Sequence, residues 1–417
     1  MQESVAKQKL VVIGNGMAGI RTVETLLERA PDLYDITVFG AEPYGNYNRI
    51  MLSPVLAGEK TFDQIMLNTL EWYAEHNITL HVGKAIEMID RRSQEVVTKE
   101  GERFPYDRVL IATGSSPIVL PLPGKDLPGV VGYRDIRDVE RMLEMAKVSK
   151  NATVIGGGLL GLEAAYGLMQ RGVSVTVVHL VDTLMERQLD SVAGAMLRAS
   201  LEARGLRFKM PASTKAILGE THVTGVSFAD GEVIPADIVV MAVGIRPNIE
   251  LAKKAGLHCE RGIVVSDTMQ TFDGRIYAVG ECVQHRSQTY GLVAPLFDQA
   301  KVCANHLAQK GFATYPGSYV STKLKVTGVD LFSAGDFGAG AGRDEVVLQD
   351  ASRGVYKRIV LKDNKIIGAV LYGDTADSAF YFEALREGKD VAHIRDRLVF
   401  GAAHLEDRNP AETAKAA

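Results

Sequence analysis

The chain has 417 residues, 46% of them hydrophobic and 24% charged, with a formal net charge of −4. That length exceeds one ordinary core and suits two or three domains; the mild acidity, with no Lys/Arg-rich run, gives no reason to expect nucleic acid as a partner. Apolar stretches are only strand-length and the first begins within about ten residues of the N-terminus, so neither a membrane span nor a signal peptide is expected and the sequence reads as cytoplasmic.

The first predicted strand is Val11–Ile13. It runs into Gly14-Asn15-Gly16-Met17-Ala18-Gly19, followed by a predicted helix over Ile20–Arg29 and a second strand over Ile36–Phe39. Strand, G-x-G-x-x-G turn, helix and strand make a dinucleotide-binding unit: the glycines allow a tight turn and close approach of a pyrophosphate. The helix N-terminus offers N–H groups and a positive dipole end to it, and Met17, Ala18 and Gly19 of the turn are expected contacts as well. Glu42, 23 residues after Gly19, stands where a carboxylate takes the ribose hydroxyls; a solvated loop acid is the alternative. The run Arg108–Gly114 is β-rich and ends in the small residues Ala112, Thr113 and Gly114, where backbone passes close to something. Pro117–Pro128 reads as a crossing out of this unit.

The pattern then returns 142 residues on, with strand Val154–Ile155, Gly156-Gly157-Gly158-Leu159-Leu160-Gly161, a helix over Leu162–Arg171 and a strand over Val173–Val178. Two copies on one chain predict two bound dinucleotides and electrons passed between them. The second strand closes on His179 rather than an acid, with Asp182 and Arg187 just beyond. A carboxylate there favours NADH and a cation a 2′-phosphate, so the signs are mixed; NADH is expected over NADPH. His179 is either a ribose or adenine contact or a plain strand-end residue. Another buried-type strand, Ile238–Gly244, stops at Gly244, and Ile276-Tyr277-Ala278-Val279-Gly280-Glu281-Cys282 ends a strand in glycine and a carboxylate. Cys259, Cys282 and Cys303 have no C-x-x-C spacing, and His81, His179 and His285 no metal spacing, so no metal site is expected. Cys282 follows the Gly280-Glu281 pair, which leaves a redox role open beside that of a buried thiol. Beyond about residue 321 short strands (Arg358–Leu361, Ile366–Tyr372) alternate with turns. Lys323 and Lys325 there read as a solvated strand face or as neighbours of a domain interface, and Asn409–Ala417 as a disordered tail.

With these motifs in order, the chain resembles the pyridine nucleotide–disulfide reductase superfamily over roughly residues 8–320. Within it the chain is similar to the ferredoxin and rubredoxin reductase branch, and to the N-terminal flavoprotein part of NADH-dependent assimilatory nitrite reductase large subunits. The residues that carry the closer likeness are Ala41–Arg49, Leu52–Gly58, Thr183–Asp190, Tyr277–His285, Tyr290–Leu296 and Ser321–Val329. The resemblance implies an α/β fold of two nested doubly wound dinucleotide-binding domains plus a smaller C-terminal α+β domain. It places FAD on 1–116 and 245–320, NAD(P)H on 117–244, and an interface domain on 321–417. It implies that Arg49 approaches the FAD pyrophosphate, Lys84 offers backbone to the adenine, and Ala112, Thr113 and Gly114 close over the cofactor. Arg134 supports it, and Gly280, Glu281 and Val293 complete the site, with Glu281 on the ribityl chain where relatives have Asp. Glu163 is implied near the nicotinamide; read alone it is an acid at a helix start, as Arg49 and Arg134 read alone are surface cations.

Three departures shape the expected function. No redox cysteine pair lies near residues 45–55, which argues against disulfide reduction. No lysine stands near Ser53-Pro54-Val55 to pair with Glu163. Nothing in the chain holds an iron–sulfur cluster or sirohaem. The expected activity is therefore hydride transfer from NADH to FAD and then single-electron delivery to a partner protein carrying an iron–sulfur cluster or sirohaem, such as a nitrite reductase component, ferredoxin or rubredoxin. An NADH oxidase using oxygen and a non-catalytic FAD/NADH redox sensor are the alternatives.

Overall fold

The computed structural model describes residues 7–324 and 328–404, so Lys325 and the tail Asn409–Ala417 lie outside the described residues. These residues form two compact units. The first comprises 7–118, 134–139 and 244–318, and the second 119–133, 140–243, 319–324 and 328–404.

The first unit is built on a five-stranded parallel sheet in the order Ile276–Ala278, Arg108–Ile111, Gln8–Ile13, Tyr34–Phe39, Ile78–His81. Leu10, Val12, Val38, Leu110, Ile111 and Ala278 are fully or almost fully buried, as expected of parallel strands covered on both faces. The fingerprint strand is central and its neighbours are reached in opposite directions. That opens a crevice at the carboxyl ends of the strands, where the glycine turn sits.

The second unit repeats this plan. Its parallel sheet runs Val130–Val131, Ile238–Met241, Asn151–Ile155, Ser174–Val178, Arg207–Lys209, again with the fingerprint strand in the middle. The repeat extends further than the two βαβ motifs legible in the sequence. Each unit inserts a three-stranded antiparallel meander just before a strand that pairs with its fingerprint strand, over Ile86–Pro105 before Arg108–Ile111 in the first and Thr214–Pro235 before Ile238–Met241 in the second.

The C-terminal part belongs to the second unit. Its five antiparallel strands lie in the order Ser321–Leu324, Leu331–Gly335, Lys365–Tyr372, Val355–Lys362, Arg343–Asp350. Helix Ser378–Glu387 and the turn segment Ala392–Phe400 bury Phe332, Ile359, Leu371, Tyr381 and Leu398 with the sheet. This sheet is tied to helix Ser191–Glu202 at its N-cap: the Tyr356 hydroxyl (2.7 Å) and Arg358 Nη1 (3.1 Å) both donate to Asp190 Oδ2.

Candidate functional site

In the first unit the local chemistry of the fingerprint explains its geometry. Gly14 has φ +118°, and a Cβ there would run into the Ala112 carbonyl; a Cβ on Gly19 would lie 2.7 Å from the Gly14 carbonyl oxygen. The turn is thus pressed against the end of the neighbouring strand. On its other side Gly16 has nothing within 4 Å of a Cβ. The helix starts there, at Met17 rather than Ile20, with no side-chain cap on Gly16. Its first intrahelical bond runs from Ile20 N–H to Gly16 O, 3.1 Å. The first-turn N–H groups of Met17, Ala18 and Gly19 are thereby left to an outside acceptor.

Tertiary contacts bring the remaining candidates to this crevice. A Cβ on Gly280 would lie 3.1 Å from Ala18 Cβ, and Gly280 N–H donates to Gln299 Oε1 at 2.9 Å. Asn248, which no sequence signal singled out, closes the strand end Ala112–Gly114. Its N–H donates to Gly114 O, its Nδ2 to Thr113 O, and it receives the Thr113 hydroxyl at its own carbonyl, each at 2.9 Å.

The charged candidates form one chain of contacts. Arg49 Nη2 pairs with Glu42 Oε1 at 2.6 Å, and Arg49 Nη1 donates to Arg134 O at 2.9 Å. Arg134 Nη2 pairs directly with Glu281, which also receives the Ser115 hydroxyl at 2.8 Å. The Tyr47 hydroxyl donates to Glu42 Oε2 at 2.7 Å. Burial pushes that hydroxyl's pKa up, while on Arg49 the burial penalty is outweighed by Tyr47, Glu42 and Glu281, which hold its charge. Arg134 Nε and Gln299 Nε2 are buried with no partner of their own. Donors in that condition are rare in native interiors and suit a ligand rich in acceptors.

Two candidates are placed differently in detail. The Lys84 N–H donates to Gly40 O at 2.8 Å and its Nζ pairs with Glu102, so both its backbone donor and its charge are taken within the protein. Val293 opens the 15-residue helix Val293–Leu307, whose N-cap makes no side-chain bond. Cys282 and Cys303 are fully buried, and burial pushes both thiols up. The Cys282 Sγ donates to Val279 O at 3.3 Å, the environment of a packed thiol and not of a reactive thiolate.

The second unit builds the same cradle. Gly156 has φ +122°, and a Cβ there would meet the Ala242 carbonyl; one on Gly161 would meet that of Gly156, and one on Gly158 nothing within 4 Å. Helix Leu159–Gln170 again lacks a side-chain cap, leaving the N–H groups of Leu159, Leu160 and Gly161. Glu163 is buried on this helix. His179 is buried at the strand end, where its Nδ1 accepts from the Gly157 N–H at 3.1 Å. Gly244, grouped with the NAD(P)H residues by sequence, lies instead in the first unit, where its carbonyl accepts from Ile118 N–H at 2.9 Å. Lys323 is exposed on its strand, its Nζ 5.8 Å from the centre of the Phe332 ring. Among the described residues no group of three His, Cys, Asp or Glu is placed to hold a metal, and no helix is long and apolar enough to cross a membrane.

The cradles, the open helix starts and the partnerless buried donors fit two dinucleotides. Comparison with known proteins agrees with that chemistry. Residues 8–302 match the family "Pyridine nucleotide-disulphide oxidoreductase", and residues 321–389 match "Rubredoxin NAD+ reductase C-terminal domain". The chain is 48% identical over 388 residues to "Nitrite reductase [NAD(P)H]" of Bacillus subtilis, covering 93% of this chain and 48% of that protein. It is 43% identical over 393 residues to "Assimilatory nitrate reductase electron transfer subunit" of the same organism, covering 94% and 51%. The chain therefore spans about half the length of these relatives. Among solved structures, that of the covalent putidaredoxin reductase–putidaredoxin complex aligns with a TM-score of 0.84 and 25% identity over 99% of each chain.

Proposed function

Since the chain belongs to the pyridine nucleotide-disulphide oxidoreductase family, we propose that it draws electrons from NADH and passes them to a redox centre carried by a partner protein or by a further segment of a longer chain. As a family member it is an FAD- and NAD(P)H-dependent oxidoreductase with a rubredoxin-reductase-type C-terminal domain. The observation that carries the proposal is the repeated cradle: two uncapped helix starts behind glycine turns, on one chain. The acceptor class we assign is a protein carrying an iron–sulfur cluster or sirohaem. The names of the two relatives support it, since one is a nitrite reductase and the other an electron transfer subunit.

Bound FAD supplies the chemistry, accepting an electron pair and releasing electrons singly; the side chains bind and orient. In this reading residues 1–116 and 245–320 hold FAD, 117–244 hold NAD(P)H, and 321–417 form the interface domain, in the cytoplasm. Gly14, Gly16, Met17, Ala18 and Gly19 receive the FAD pyrophosphate with Arg49, and Glu42 takes its ribose. Lys84 meets the adenine, and Glu281, supported by Arg134 and Gly280, the ribityl chain. Gly156, Gly158, Leu159, Leu160 and Gly161 receive the second pyrophosphate, and Glu163 stands near the nicotinamide. Hydride transfer asks for ring placement and charge tuning, not for a nucleophile or a metal.

The test is anaerobic. Protein reconstituted with FAD is mixed with NADH and an artificial dye, then with rubredoxin, ferredoxin and a sirohaem protein in turn. Turnover with dye and with one of the protein carriers is expected. No turnover even with dye refutes the enzymatic reading. Fast NADH consumption in air that no carrier accelerates identifies an oxidase instead.

A further inference from the structure

The two fingerprints are built alike except at one contact. In each, the turn glycine donates to the end of the second strand: Gly14 N–H to Phe39 O at 2.9 Å, Gly156 N–H to Val178 O at 2.8 Å. Asn15 thus corresponds to Gly157, and Gly40 to His179. Side-chain volume has changed sides across this contact. In the first unit a Cβ on Gly40 would lie 3.0 Å from Asn15 Cβ; in the second a Cβ on Gly157 would lie 2.8 Å from His179 Cγ and 2.8 Å from Leu184 Cδ2. The middle glycine of Gly156-Gly157-Gly158 is therefore required by the imidazole that fills the space beneath it.

That imidazole and the loop after it grip the turn. Gly157 N–H donates to His179 Nδ1 at 3.1 Å, and Gly157 O receives the Met185 N–H at 3.0 Å. The loop's far end is anchored by Asp190, whose Oδ1 accepts from Ala193 N–H at 2.9 Å. An N–H only donates, so Nδ1 carries the lone pair and Nε2 the proton. The Nε2–H then points at Thr183 O and Glu186 Oε2, both at 3.1 Å. The Glu186 side chain is 43% exposed, so its carboxylate is fixed through one oxygen while the group stays open to solvent. It is an acid held, through one side chain, to the phosphate-binding turn at the carboxyl end of the strand. The usual ribose acid is missing there: the position matching Glu42, three residues past the strand's last residue, is Val181.

We propose that His179 is a positioning residue for the dinucleotide turn, and that Glu186, oriented by His179 Nε2, is the carboxylate that selects an unphosphorylated adenosine ribose. This rests on the assignment of the second cradle to NAD(P)H. A carboxylate accepts from the two ribose hydroxyls of NADH and repels the 2′-phosphate of NADPH. The exposed neighbour Arg187 would favour the opposite choice, which makes the outcome informative.

The experiment titrates FAD-loaded wild type, Glu186→Gln, His179→Asn and His179→Leu with NAD+ and NADP+ by calorimetry, with flavin absorbance as the check on folding. Wild type is expected to bind NAD+ at least about tenfold more tightly than NADP+, as charge-assisted hydrogen bonds imply. Glu186→Gln shrinks that ratio towards one, chiefly through NAD+. His179→Asn keeps an acceptor for Gly157 N–H but does not reach Glu186, so it also shrinks the ratio while binding persists. His179→Leu removes both contacts, so it weakens both nucleotides and shrinks the ratio as well. An unchanged ratio in Glu186→Gln, or a wild type that prefers NADP+, overturns the inference while leaving the nicotinamide site standing. Binding of neither nucleotide by the wild type, with no bleaching of the flavin by NADH, overturns that site and the inference with it.

Discussion

The Arg134–Glu281 pair gives the most direct test of how the crevice of the first unit is held. Its side chains are 16% and 12% exposed, and the two groups touch. Glu281 also accepts from the Ser115 hydroxyl at 2.8 Å, and Arg134 Nε has no partner. Replacing Arg134 with Met leaves a mostly buried carboxylate with only a neutral donor; the cost of stranding one member of such a pair is about 3 kcal/mol. Replacing Glu281 with Gln strands the guanidinium and costs a similar amount. In the double variant neither charge remains, so the two costs do not add. A charge-assisted hydrogen bond implies a coupling energy of about 2 kcal/mol. For a unit of this size, 1 kcal/mol corresponds to about 2–4 °C, so each single variant should melt about 6–12 °C lower and the double variant well above the sum. The assay is thermal unfolding of the four proteins without FAD, followed by FAD affinity from fluorescence quenching. Additive losses, with coupling below about 0.5 kcal/mol, would mean that the pair is not the electrostatic unit described here.

Three further outcomes follow from the same geometry. Gly161→Ala places a Cβ against the Gly156 carbonyl; flavin reduction by NADH should slow by about a hundredfold with FAD still bound, and stopped-flow rates equal to wild type would contradict the cradle. Native protein should react with a thiol reagent at Cys259 alone, and slowly, because Cys282 and Cys303 are buried with raised pKa values; all three react in denaturant. Rapid modification of a second thiol in the native state would refute that assignment. Asp267 is held down to about 2 by hydrogen bonds from Arg286 and His285. Its folded value lies below the ordinary value of about 3.9, so its contribution is present above pH 4 and fades as pH falls towards 2. With 40% of its side chain exposed, Asp267→Asn should cost less than about 1 kcal/mol at pH 7. That cost should narrow in urea titrations at pH 4 and pH 3; a cost that grows on acidification would reverse the sign.

The parts of this protein that were legible in the sequence are those whose physics is local. A glycine turn between a buried strand and a helix needs only neighbouring residues, so both fingerprints, the flanking strands and the class of ligand could be read directly. The helices begin three residues earlier than their apolar periodicity suggests, at Met17 and Leu159. The fingerprint positions that look like loop are the open first turn. The antiparallel meanders carry no fingerprint and surfaced only as paired strands. Asn248 was missed because its role is to satisfy Thr113 and Gly114 across 135 residues of chain.

What the sequence by itself determined was therefore two dinucleotide cradles and their order, because backbone sterics at Gly14 and Gly156 demand glycine wherever a helix start must stand open to a phosphate. What only the tertiary structure decided was how distant charges close around them. Glu42, Arg49, Arg134 and Glu281 are linked in one chain of contacts, the two arginines through the Arg134 carbonyl, and His179 turns back beneath Gly157 instead of leaving the strand end bare. Such pairings depend on where chain segments far apart in sequence are packed, and buried charge and buried donors then require partners that no local spacing encodes.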